Sequence, residues 1–328
     1  MAGTTSTNYT EVVTLVQPYV NAFLDETLTL VNSGAVQKDT NPAFIPQGTT
    51  FTARYRNFFT TSGWRAPVAA TDTTIDNWSG NNETGVIYRR YKDVGIEDFA
   101  ALSSGDKTSA PDVARMIVHD YNLSTENQIV GLLGAMFKSG GALESTHIVD
   151  ATGSPIAPQN ISQARAKMGE FGAGFGFLFM HSAVFYNSEL QALVNANAAD
   201  PNLIREFQTS GMTYAGRYGG MNVILNDRLY NATNVYDTYL VRPGAILLAY
   251  QMAPKFVAYY DNRLAAGTDV TGYRCASAVH IPGVTWNTTA PSGIAGATDA
   301  EIATAANWAK RTGVDNKEIG IVCIKSNA

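Results

Sequence analysis

The sequence predicts an α+β protein organised along one unusually long helix, with length for one large domain or two ordinary ones. Three observations lead there. The chain has 328 residues, 45% of them hydrophobic, enough to bury a substantial core. Residues 111–138 keep helical apolar spacing, a helix of about 40 Å if continuous. Around that segment, short apolar/polar alternations recur as strands, with no repeat and no low-complexity linker to cut the chain.

Residues 11–31 carry Val12, Val13, Leu15, Val16, Val20, Phe23, Leu24, Leu28 and Val31 at mixed spacing, which predicts helical segments interrupted near Pro18 and stopped by Gly34. Over 49–56, Phe51, Ala53 and Tyr55 alternate with Thr50, Thr52, Arg54 and Arg56, a half-buried strand. Its matching strand is expected at 85–92, around Val86, Ile87, Tyr88 and Tyr91. Between the two lie about 28 residues rich in Thr, Asn, Gly and Ser, a length that is usually functional inside a compact domain. They also hold Phe58, Phe59, Trp64, Pro67, Ile75 and Trp78, so the segment reads as a long two-stranded arm whose apolar side chains need a partner surface.

Ser109 as N-cap, Pro111 in the first turn and Asp112 beside the dipole announce the long helix. Val113, Met116, Ile117, Tyr121, Ile129, Val130, Leu132, Leu133, Met136 and Phe137 carry its period, and Gly140-Gly141 end it. Such a length predicts a structural spine. The remainder is mixed: strands at 147–150, 176–181, 221–225, 236–241, 245–250, 256–260, 273–281 and 319–324, with helices at 161–168, 183–195 and 299–310.

Charged residues make up 16% of the chain, below the roughly 25% of soluble domains. A subunit that hides its exterior against neighbours shows this bias, and so does an extracellular β-rich protein. Net charge is −5, and the 23 Lys and Arg are scattered, with Arg89-Arg90 and Lys310-Arg311 the densest pairs, so no basic stripe grips nucleic acid. Residues 1–10 show no secretory signal, and no apolar run reaches the roughly 18 residues of a membrane span. A soluble protein made in a cytoplasm is expected, with Cys275 and Cys323 as reduced, buried thiols.

Catalytic motifs fail one by one. In Gly172-Ala173-Gly174-Phe175-Gly176 the third glycine of a dinucleotide fingerprint falls on Phe177, and the run follows a helix and precedes a strand, so it reads as a turn of close backbone approach. His119, His147, His181 and His280 are far apart, without metal-ligand spacing. His147 and Asp150 point to opposite faces of their expected strand, and His181-Ser182 has no third member that the sequence identifies. Asn226-Asp227 reads as a turn, and acidic pairs such as Asp93 with Glu97 establish nothing without a pocket. No enzyme activity, metal or cofactor is expected.

Several ordered motifs carry a family resemblance: Asp98-Phe99-Ala100-Ala101-Leu102-Ser103-Ser104-Gly105; Gly131-Leu132-Leu133-Gly134-Ala135-Met136-Phe137; Met180-His181-Ser182-Ala183-Val184-Phe185; Tyr218-Gly219-Gly220-Met221-Asn222-Val223-Ile224-Leu225-Asn226-Asp227. To these are added Tyr236-Asp237-Thr238-Tyr239-Leu240-Val241-Arg242-Pro243-Gly244-Ala245-Ile246, then His280-Ile281-Pro282-Gly283-Val284-Thr285-Trp286 with Ala306-Asn307-Trp308. Spanning 98–308 in order, they resemble the major capsid proteins of tailed bacteriophages with the Hong Kong 97-type fold. Residues 1–97 match in pattern more than in letters.

The resemblance implies an N-terminal arm at 1–43, an extended β-hairpin loop at 44–97, the spine helix region of the peripheral domain at 98–141, and interleaved peripheral and axial domains over 142–328. It implies a non-enzymatic virion subunit assembling as pentamers and hexamers into an icosahedral shell around double-stranded DNA, without sequence-specific binding. A portal protein is an implied partner, and so is a separate scaffolding protein, since about 40 residues ahead of the first arm strand are too few for a packed domain. Phe58, Phe59, Trp64 and Trp78 are the candidate inter-subunit contacts. Two rivals are an encapsulin-like nanocompartment shell, told apart by its cargo, and a secreted β-rich binding protein or hydrolase, told apart by a pocket.

Overall fold

The computed structural model describes residues 30–39, 48–56, 80–97, 110–186, 214–232, 234–261, 263, 267–288, 291 and 293–327. The expected helical segments before Leu30, the cap Ser109 and most of the expected 183–195 helix lie outside them.

A short 3-10 turn, Val31–Ser33, stops at Gly34, whose φ of 79° suits glycine, and leads into β1 (Val36–Asp39). Strands β2 (Thr50–Arg56) and β3 (Gly80–Val86) form an antiparallel ladder with Thr50 facing Val86 and Arg56 facing Gly80. The expected partner at 85–92 is corrected by this register, because the chain changes sheets at Ile87 and continues as β4 (Tyr88–Glu97). Ile87 is buried against Phe51 and Ala278; its N–H donates to the Thr49 carbonyl and its own carbonyl accepts from Ala297, both at 3.0 Å. Its N–H thus closes the β2–β3 register while its carbonyl serves another segment, which marks the point where the chain passes to the other sheet.

The long helix α1 runs Ala110–Phe137 as expected. Its first half lies over one sheet: the Tyr121 and Tyr273 rings meet edge to face at 5.5 Å, and the Tyr273 hydroxyl donates to Asp120 Oδ2 at 3.0 Å. In its second half Ile129, Leu132, Leu133, Met136 and Phe137 are buried in the main core. Lys325 Nζ donates to the Phe137 carbonyl at 2.8 Å, a cation on the negative end of the helix dipole. Beyond it the Leu143 N–H returns to the Met136 carbonyl at 3.0 Å, and at Gly141 a Cβ would stand 2.4 Å from that same oxygen. Gly141→Ala is therefore expected to lower subunit stability by about 1–3 kcal/mol, read as a lower denaturant midpoint; an unchanged midpoint would show that this turn relaxes freely.

Next come α2 (Glu144–His147), β5 (Ile148–Pro155), α3 (Pro158–Lys167), a 3-10 segment at Gly169–Gly174, β6 (Phe177–Met180) and α4 (Ser182–Phe185). His147 thus closes a helical turn instead of opening a strand. Strands β7 (Tyr214–Tyr218), β8 (Met221–Leu225), β9 (Tyr230–Ala232) and β10 (Val235–Val241) follow, then the long pair β11 (Ile246–Asp261) and β12 (Thr268–His280). The chain finishes through β13 (Val284–Trp286), α5 (Asp299–Ile302), β14 (Trp308–Lys310) and β15 (Ile321–Asn327).

Two expectations change here. The strands expected at 245–250 and 256–260 are one strand, β11, whose register against β12 slips between Tyr250 and Met252 and again between Met252 and Lys255, around Pro254. The helix expected over 299–310 survives only as α5. A Thr298/Glu301 capping box starts it, but Trp308 turns away to pair with Trp286 across β13 and β14, rings 5.0 Å apart, its Nε1–H bonded to the Ile302 carbonyl at 2.9 Å.

Strand order is β1-β11-β12-β4 in one sheet and β5-β15-β10-β6-β8-β7 in the other, with β9 on β10; β2-β3 and β13-β14 stand as two-stranded ladders. Among the described residues β1 covers only Ile246 to Ala249 of the outer edge of β11. The larger sheet is buried on both faces: Phe179, Tyr239 and Ile321 point into the core with α1, while Leu178, Leu240 and Val322 meet Ile161 and Ala164 of α3. Continuous apolar runs such as Phe177–Met180 follow from that double burial. Cys275 and Cys323 are buried free thiols, and burial raises the pKa of each.

Candidate assembly surfaces

The hairpin of β2 and β3 stands apart, because among the described residues neither strand pairs with any strand of the two large sheets. Its base rests on the face of the smaller sheet turned away from α1. There the Phe51 ring meets His280 edge to face at 5.4 Å; beside that face, Asn81 Nδ2 donates to the Thr312 carbonyl after β14 at 2.6 Å, and the Thr84 N–H donates to Thr285 Oγ1 on β13 at 3.0 Å. Farther along that face, the register puts Tyr91, Met252 and Tyr259 on the same side, and Tyr91 is 73% exposed. An ion pair of Arg274 with Asp93 at 3.4 Å sits among them. On α1, Met116 is 65% exposed. Exposed aromatics and Met on one face of a sheet suit burial against another protein surface.

Beneath the hairpin lies a feature that the sequence did not disclose. Glu83 is completely buried; its Oε1 is 2.5 Å from His280 Nε2, its Oε2 is 3.1 Å from Arg311 Nε, and both oxygens are 3.1 Å from the Gly283 N–H. The Arg311 guanidinium also stacks over the Tyr55 ring at 4.9 Å. About 200 residues separate Glu83 from its partners, so only alternation could have hinted at it, and Gly80-Asn81-Asn82-Glu83-Thr84-Gly85 carries no apolar residue to reveal a strand.

The densest basic pairs are committed to the protein. Arg89 donates to the Ile294 carbonyl at 2.6 Å, the Gly48 carbonyl at 2.7 Å and Gln251; Arg90 holds Asp299 and the Ala297 carbonyl, each at 2.7 Å. Lys310 bonds Asn316, and Arg311 is ion-paired with Glu83.

His147, His181 and His280 each have a local task. His147 Nε2 bonds the Asn316 carbonyl at 2.9 Å, and burial lowers its pKa. His181 Nδ1 accepts the Ala183 N–H at 3.0 Å as the cap of α4. Asp227 is the neighbour that the sequence could not supply for His181-Ser182: its Oδ1 lies 3.9 Å from His181 Nδ1 and accepts the Ser182 N–H at 3.2 Å, and its bonds to Ser182 lower its pKa. Because Nδ1 already accepts a backbone N–H, this trio caps a helix. Asn226 Oδ1 accepts the Arg228 N–H at 3.0 Å, the expected turn. In the glycine run, a Cβ at Gly172 would lie 2.3 Å from the Arg165 carbonyl oxygen, the close approach expected there. Phe58, Phe59, Trp64 and Trp78 lie outside the described residues.

Comparison with solved structures finds the same fold in phage capsids. The cyanophage Pam1 capsid asymmetric unit matches with a TM-score of 0.59 at 11% identity, covering 92% of this chain and 93% of that one. The capsid of Ralstonia phage GP4 gives 0.55 at 10% identity, covering 90% and 87%, and Mycobacterium phage Che8 gives 0.53 at 12%, covering 89% of each. A search of curated proteins finds no match. The family model of Gp13-like proteins, the major capsid protein 13-like family, matches residues 106–322. With that match over more than half of its length, the chain belongs to the major capsid protein 13-like family and is a structural subunit of a tailed-phage shell.

Proposed function

We propose that this subunit has the Hong Kong 97-type architecture and assembles through pentamers and hexamers into an icosahedral shell around the phage genome. In this reading residues 1–43 are the N-terminal arm, 44–97 the extended loop, 98–141 the spine region, and 142–328 the interleaved peripheral and axial domains. The observation that carries it is the separate hairpin: among the described residues β2 and β3 pair with no strand of the body, and the 57–79 connection holds Phe58, Phe59, Trp64 and Trp78. A two-stranded ribbon is marginal alone, so its apolar side chains call for a neighbouring subunit.

The subunit works by association, without catalysis. Its partners are further copies of itself, a separate scaffolding protein, the portal protein, and double-stranded DNA held without sequence readout; assembly takes place in the host cytoplasm. The commitment of Arg89, Arg90 and Arg311 to partners within the subunit supports a wall that lets DNA move past it. Expression alone and with the phage's other head proteins, followed by sedimentation and negative-stain microscopy, tests the reading. Pentamers, hexamers or closed shells are expected, and monomer under every condition would refute it.

A further inference from the structure

Apart from the one-residue join at Ile87, the direction in which the hairpin leaves the body is set by side-chain contacts, because β2 and β3 share no ladder with either large sheet among the described residues. Glu83 stands at the centre of those contacts. One carboxylate collects His280 from β12, the Gly283 N–H from the turn after it, and Arg311 from the segment after β14, and all of these groups are buried. Phe51 and Tyr55, both from β2, close over the His280 ring and the Arg311 guanidinium. Both strands of the hairpin are therefore engaged with the same cluster.

An apolar seat would hold the hairpin as firmly, since replacing a buried ion pair by packed hydrophobic residues is often neutral or stabilising. What the polar cluster adds is direction. Apolar surfaces slide and lose area gradually, whereas a carboxylate with directional donors keeps its bonds in one geometry and loses them together. Once such a seat opens, water hydrates both charges, so the open state is a discrete alternative.

We propose that the Glu83–His280–Arg311 cluster is a latch that fixes the angle of the hairpin on the body, with an open state in which the hairpin swings while the body stays folded. The inference rests on the reading of the hairpin as the inter-subunit arm, and Glu83 acts as a positioning residue. A latched hairpin leaves the body in one direction, and an unlatched one in many.

Hydrogen exchange by mass spectrometry on the full-length unassembled subunit tests the latch, beside microscopy of its assembly. In Glu83→Gln, amides of 50–56 and 80–86 are expected to exchange roughly ten- to a hundred-fold faster, those of β6, β10 and β15 at the parent rate, and particles to lose uniform diameter. If Glu83→Gln strands the Arg311 charge and unfolds the body, the Glu83→Leu/Arg311→Leu double variant decides. Charge balance then keeps the body melting near the parent, while the hairpin still exchanges fast. Hairpin exchange at the parent rate in the folded variants overturns the latch, and so does acceleration spread evenly through the body, which would make Glu83 a plain core residue. A parent that forms no particles removes the shell reading instead, and hairpin exchange still reports on the latch.

Discussion

Excising residues 57–79 and joining Arg56 to Gly80 through an Asn-Gly turn is expected to give a subunit that melts like the parent and builds no stable shell. Arg56 and Gly80 already face each other across the ladder, so a two-residue turn closes the hairpin without moving its base. The cut must stop before Gly80, because Asn81, Glu83 and Thr84 hold the hairpin to the body. If Trp64 and Trp78 fill pockets on a neighbour, each contributes on the order of 2 kcal/mol per contact, and repetition around a closed shell multiplies the loss. Circular dichroism melting beside electron microscopy of the assembly reaction reads both halves. Normal shells would show that the arm is no clamp, and a collapsed melting transition would show that the aromatics belong to the subunit's own core.

Trp308→Ala is expected to act in the opposite place, on the fold itself. The Trp308 side chain is buried against Trp286, and its Nε1–H satisfies the Ile302 carbonyl. Truncation leaves a cavity and an orphaned acceptor, together about 3–5 kcal/mol of unfolding free energy. Trp308→Phe keeps a ring in the slot and loses chiefly the hydrogen bond, about 1–2 kcal/mol. Denaturant titration of the unassembled subunit distinguishes them, and equal losses would mean that the ring contact contributes nothing.

Much of this was legible in the chain, for identifiable reasons. The helix α1 announced itself because 28 residues of one period outweigh any local exception. Both thiols were readable because free cysteine behaves as a small buried hydrophobe. The errors fell where distant residues decide local structure. Ile87 looked like the middle of a strand, and its two backbone bonds, to Thr49 and Ala297, are invisible in local pattern. The stretch after α5 kept helical spacing, yet Trp308 finds more burial beside Trp286 than on a helix face. In β11 the two register slips broke the alternation, so one strand read as two.

The hairpin base was half legible. Phe51, Ala53 and Tyr55 marked β2, whereas β3 hid behind polar letters because its inward position is occupied by a charged residue. A buried carboxylate has the same sequence signature as a surface one, and only the cation and imidazole brought from residues 280 and 311 tell them apart.

The slips in β11 bear on how a protein produced in many copies avoids sticking to itself in the wrong way. Past Ala249 the outer edge of this strand has no partner among the described residues, which makes it a template for any passing extended chain. Pro254 supplies no N–H there, and the extra residues flanking it throw the donors and acceptors out of the spacing that an incoming strand needs. The bulge thereby withholds amyloid-like pairing from a chain whose purpose is to associate, leaving side-chain contacts to choose the neighbour.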